Sequence, residues 1–181
     1  MTSSLRAFAA TSAAVLLLAL TACSQTPTET AGPSASPSAS VSGDCAGVTI
    51  VVDASALELG EDDPSQATCI PTATAIAASD ALAQADVTTE GTKQYGDQVV
   101  CRVNGVPAAD LAIKNPDGTD YFEQCESMPA AFAYWSLWVE PKGGAWEYAQ
   151  EGLSTLQLQP GESLALLFSL NGTPASPTAT P

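Results

Sequence analysis

Histidine is absent from all 181 residues, which removes the commonest general base and the commonest metal ligand together. Basic residues are scarce as well: five Lys and Arg stand against 20 Asp and Glu, a formal net charge of −15. They form no cluster, so nucleic-acid binding through phosphate neutralisation has no basis, nor does electrostatic docking on anionic lipid. No Cys-x-x-Cys pair and no Ser-x-x-Lys motif occurs, and a serine nucleophile would have no base. Gly143-Gly144 falls at an expected hairpin turn and not at a helix start, so no phosphate-cradling loop is present. Asp117 and Asp120 sit on an expected loop, which gives a glycosidase-type carboxylate pair no rigid geometry. The run Glu61-Asp62-Asp63 lacks the alternating ligands and central glycine of a calcium loop and reads as a solvated acidic turn. These absences predict no enzyme activity, no catalytic residue, no metal site and no cofactor.

What is present begins at the N-terminus. Arg6 supplies a positive start, Ala7 to Ala22 form a 16-residue apolar stretch, and small residues precede Cys23. This is secretory-signal architecture, and the stretch is short for a membrane-spanning helix. Leu20-Thr21-Ala22-Cys23 resembles the lipobox of bacterial lipoproteins. The resemblance implies cleavage after residue 22 and diacylglycerol on the Cys23 thiol, anchoring the chain to the membrane on the outer face of the cytoplasmic membrane. The alternative is a plain signal peptide cleaved nearby, with Cys23 incidental. Residues 23–43 read as a disordered Ser/Thr/Pro/Ala linker whose only large apolar residue is Val41. Such a tether has an r.m.s. span of roughly 25 Å. Residues 173–181 repeat that composition and read as a disordered tail, leaving residues 44–172 as one domain.

Four cysteines remain once Cys23 is set aside, an even number in an exported chain. Two disulfides with three possible connectivities are expected, and a zinc site is the rival, disfavoured by spacings of 24, 32 and 24 residues. The pairing Cys45–Cys69 and Cys101–Cys125 closes two similar loops, each tying a strand to the segment leading to the next element.

The apolar pattern predicts an α+β domain. Val48 to Asp53 reads as a central strand, and Ala54 to Ala67 as a loop, with a short strand edge as the alternative. A helix capped by Thr72 or Thr74 is expected to run to Asp86. Further strands are expected over Asp97–Val103, Ala133–Val139, Ala145–Ala149 and Ser163–Leu170, with a long loop from Val106 to Met128. The order implies a mostly antiparallel or mixed sheet covered by one helix.

All three tryptophans lie between Trp135 and Trp146. Strand alternation places Trp135, Leu137 and Val139 on one face, expected in the core, and Tyr134, Ser136 and Trp138 on the other, expected to be exposed. Trp146 or Tyr148 can pair with Trp138 across the hairpin. The functional expectation is an aromatic platform of Tyr134, Trp138, Trp146 and Tyr148 for a planar small molecule; the structural one is a packed hairpin.

Cys45-Ala46-Gly47-Val48, Val100-Cys101-Arg102-Val103-Asn104-Gly105-Val106-Pro107, Tyr134-Trp135-Ser136-Leu137-Trp138 and Gly143-Gly144-Ala145-Trp146-Glu147-Tyr148 together resemble small secreted lipoproteins of high-GC Gram-positive bacteria. More distantly, residues 45 to 168 are similar to the C-terminal domain of transcobalamin and intrinsic factor. That resemblance implies a β-grasp-like fold and a surface module that captures a cobalamin-like ligand (a corrinoid) or serves its importer. The chain departs from that family in having no histidine for cobalt and no helical barrel to supply the other half of the site. A protein-interaction module of the cell envelope, binding a partner chain through the same aromatics, is the alternative function.

Overall fold

The computed structural model describes residues 45–178, so the expected signal peptide, Cys23 and the whole 23–43 linker lie outside the described residues. The first strand, β1 (Gly47–Asp53), buries Val48, Ile50 and Val52 on one face, as its β-branched alternation requires. Two 3-10 turns, Ser55–Leu57 and Gly60–Asp62, carry the chain into β2 (Gln66–Pro71), which pairs antiparallel with β1. An ideal Cβ on Gly47 would lie 2.0 Å from the Ile70 carbonyl, so only glycine permits this approach. The loop expected from Ala54 to Ala67 therefore ends in a full edge strand. Its polar outer positions hid it from the apolar pattern.

The helix is shorter than expected. Ile76–Ala77 form β3, and only Ala78–Gln84 is helical (α1). Neither Thr72 nor Thr74 caps it: Thr72 Oγ1 instead donates to the Thr74 carbonyl, and β3 pairs with a distant two-residue strand. Tertiary pairing has overridden local periodicity at this end. Of the apolar positions expected at helical spacing, Ala81, Leu82 and Ala85 are buried, and Ala78 is buried beside them.

Next come β4 (Thr89–Thr92) and β5 (Gly96–Val103), an antiparallel pair with a broken register. The long loop contains a small hairpin, β6 (Ile113–Lys114) and β7 (Asp120–Tyr121), which turns where Gly118 N–H donates to the Asn115 carbonyl. After it come β8 (Ala133–Glu140), β9 (Glu147–Tyr148), β10 (Gln157–Leu158), the partner of β3, and β11 (Ser163–Leu170).

The main sheet has the order β2-β1-β11-β8-β9. β1 and β11 are parallel at its centre, and the other neighbours are antiparallel. The domain is α+β, with a mixed sheet. The large core lies on the sheet face that carries Val48, Ile50, Leu164, Leu166, Phe168 and Trp135, where α1 also packs. On the other face Trp138, Ala165 and Leu167 form a second, smaller buried cluster. Burial on both faces explains why β11 reads as an apolar run with little alternation. Both disulfides join Cys45 to Cys69 and Cys101 to Cys125, each with Cα atoms 5.6 Å apart. No described helix is long and apolar enough to cross a membrane. Beyond β11, Thr173 bridges to Leu170 and Pro177 is buried, so packing continues past the boundary expected at residue 173.

Candidate functional site

Tyr134, Trp138, Trp146 and Tyr148 are brought together on the sheet face opposite α1. Register explains why: Trp138 lies opposite Ala165 on one side and Tyr148 on the other. The small Ala165 leaves room for the indole, and residues facing each other across adjacent antiparallel strands share a sheet face. The Trp138 and Tyr148 rings stack with centroids 3.8 Å apart and planes 27° from parallel. Trp146, two residues before Tyr148, packs against the same cluster.

One expectation requires correction. Trp138 is not exposed beside Tyr134; it is 6% exposed, and its Nε1 donates to Ser136 Oγ at 2.9 Å. Ser136 in turn donates to the Leu167 carbonyl at 2.9 Å. Strand alternation assigned the face correctly, but it cannot tell whether a sheet's second face is covered. Here the hairpin folds Trp146 and Tyr148 over it. Trp135 is buried as expected, edge-to-face with Phe168, with its Nε1 donating to the Val106 carbonyl.

The surface the cluster presents is Tyr148, 51% exposed. Partial desolvation, then hydrogen bonding with the Tyr134 hydroxyl, holds its phenol above the ordinary tyrosine value. Trp146 Nε1 is enclosed and has no hydrogen-bond partner among the described residues. Near Tyr148, on the main-core side of the sheet to which Val139, Ala149 and Leu156 belong, opens a cleft of about 270 Å3 rimmed by Glu147, Glu151 and Glu162. Neither Glu151 nor Glu162 stood out in the sequence, because each is an isolated carboxylate in a turn-rich stretch. Comparison with protein-family models, with curated proteins and with solved structures finds no match for this chain.

β9 leaves part of the β8 edge unpaired beside this site. β9 covers it at Trp138 and Val139, and the Ala149 N–H donates to the Leu137 carbonyl. Backbone groups of alternate residues point to the same side, so Trp135 turns its N–H and C=O toward that edge beyond the end of β9. A groove of about 110 Å3 separates this stretch from Gln98, Val99 and Val100 of β5.

Several polar groups elsewhere are committed to structure. Asp117 accepts from the Thr119 hydroxyl and N–H, which hold its carboxyl below the usual range, and Asp120 pairs with Lys114. Arg102 is a sequence-silent hub: it donates to the Pro107 and Glu123 carbonyls and to the Glu90 carboxylate. Among the described residues the donor atoms of Cys101, Glu123 and Cys125 lie within 4.8 Å of one another, but the two sulfurs are bonded together and cannot ligate a metal.

Glu123 is 5% exposed and accepts from the Cys125 N–H and the Tyr121 hydroxyl. Burial, then the hydrogen bond and charge of Glu123, pushes the Tyr121 phenol up to about 12 from an ordinary 10.0. The fold therefore retains a proton that the unfolded chain releases. That stabilisation is complete below about pH 10 and is lost as the pH rises through about 12. Melting temperature is expected to fall between those limits, less steeply in Tyr121→Phe than in the parent.

Proposed function

We propose that this protein is a lipid-anchored, extracytoplasmic module of β-grasp-like fold that captures a planar small molecule without chemically changing it. The observation carrying this reading is the Tyr148 ring, half exposed and held flat by stacking 3.8 Å from a buried tryptophan. A ring fixed in advance can stack on a ligand at little ordering cost. The fold reading is supported by the sheet order, with the first and last strands parallel at the centre, a hairpin on each side and the helix between the second and third sheet strands. Two disulfides suit an oxidising compartment. The cleft beside Tyr148, about 270 Å3, is smaller than the roughly 300–1,000 Å3 that encloses drug-sized ligands. A corrinoid, the ligand class implied by the family resemblance, would thus be held against one face and not enclosed.

Titration with cobalamin, cobinamide and other planar cofactors is expected to change tryptophan fluorescence. Tyr148→Ala should abolish that response at a stability cost of about 1–2 kcal/mol, because it also removes the ring stacked on Trp138, and the variant should remain folded. Retained binding in Tyr148→Ala would sink the platform. For the anchor, Cys23→Ser is expected to lose detergent-phase partitioning; unchanged partitioning would refute lipidation.

A second reading is favoured by the stretch of the β8 edge that β9 leaves unpaired. An extended segment of an importer or envelope protein could add a strand there, using the backbone of Trp135 for hydrogen bonds and the adjoining aromatics for contact. It takes precedence if no small molecule binds the parent and a partner chain cross-links to this edge.

A further inference from the structure

A larger cleft, about 410 Å3, opens where α1, β4, β5 and the turn at Gly152–Thr155 meet, and it shares no lining residue with the cleft beside Tyr148. Its construction begins with the register break in β4–β5. Gly91 pairs with Val100, but the next residue, Thr92, pairs with Gly96, so Asp97, Gln98 and Val99 face no β4 residue. An ideal Cβ on Gly91 would sit 2.3 Å from the Gly96 carbonyl, so the bulge depends on glycine there. Bulges re-aim side chains, and this one releases Asp97 from the ladder to the cleft.

The floor is aliphatic: Leu82, Val87 and Leu153 are each at most 5% exposed. Around it stand the hydroxyls of Ser79, Thr89 and Ser154, with Asp97 as the only ionisable side chain in the lining. Elsewhere Asp53, Asp63 and Asp117 each spend a carboxylate oxygen on a hydroxyl and an N–H two residues on. At the cleft, by contrast, the carboxylate and all three hydroxyls have no hydrogen-bond partner among the described residues. An apolar floor ringed by a few exposed polar groups without a partner in the chain is the architecture of a small-molecule site.

We infer that this cleft binds a small organic ammonium ion with an apolar body. The body lies over the small uncovered parts of Leu82, Val87 and Leu153, the ammonium donates to the Asp97 carboxylate, and the hydroxyls accept its remaining protons. A zwitterion or an anion is rejected, because no cation lines the cleft to receive a carboxylate or phosphate.

The test is a titration of the full chain in detergent with 2-phenylethylammonium and with butylammonium, following the methyl NMR signals of Leu82, Val87 and Leu153. Saturable shifts confined to those methyls are expected. Asp97→Asn, a substitution at an exposed residue, should weaken binding by about tenfold or more, and neutral 2-phenylethanol should match that loss. Tyr148→Ala should leave the titration unchanged, which separates this site from the aromatic platform. The inference is overturned if neither ammonium compound gives saturable shifts below about 10 mM. It is equally overturned if the alcohol binds as well as the ammonium, or if Asp97→Asn binds as the parent does.

Discussion

Replacing Trp135 with alanine is expected to destabilise the domain by about 3–5 kcal/mol, a large share of the stability of any single domain. The ring is 8% exposed, meets Phe168 edge-to-face at 5.3 Å and donates to the Val106 carbonyl. Its removal opens a cavity in the main core and takes away one of the two hydrogen bonds to the Val106 carbonyl, which keeps the one from the Val103 N–H. Trp138→Ala is expected near the lower end of the same range. Its cluster is smaller, one stacked neighbour is half exposed, and Ser136 keeps its bond to the Leu167 carbonyl when the indole is gone. Urea denaturation of both variants decides the matter. A Trp138→Ala cost below about 1 kcal/mol would show that the second face contributes little to the fold.

Loss of the disulfides should be comparably severe. Each closes a loop with a sequence separation of 24 residues, which in the chain-entropy model corresponds to about 3 kcal/mol per bridge. The two are not equivalent in surroundings. Cys101 and Cys125 are both 2% exposed and pin the long loop carrying Glu123, whereas Cys45 lies partly exposed at the start of β1. Under graded reduction without denaturant, Cys45–Cys69 is therefore expected to open first. Reduction of Cys101–Cys125 should coincide with global unfolding, followed by circular dichroism alongside thiol alkylation. Non-reducing peptide mapping should recover only these two linkages; a 45–101 or 69–125 peptide would contradict the pairing.

Several elements were legible from local chemistry. β1, β5, β8 and β11 announce themselves because their buried positions are β-branched, aliphatic or aromatic and their ends carry turn residues. The disulfide pairing was also legible, through loop lengths and strand positions. β2, β3 and β10 were harder, since two-residue strands and polar edge strands carry little periodicity and exist only because a distant partner pairs with them. The truncated helix has the same cause: Ile76 has the spacing of a helical stripe but is paired with Leu158.

The candidate site divides along the same line. The sequence by itself determined an α+β chain rich in carboxylates and free of histidine, and it put Tyr134, Ser136 and Trp138 on one face of a strand, because side-chain alternation is a local property of extended backbone. Only the tertiary structure decided that Trp138 is covered while Tyr148 is half exposed, since cover depends on how the hairpin lays one ring over another. The same holds for Asp97. Its place at a cleft with three hydroxyls follows from a register break and from the packing of α1 and the Gly152–Thr155 turn. Contacts between segments so far apart in the chain leave no periodic trace in it, because they depend on the whole fold and not on neighbouring residues.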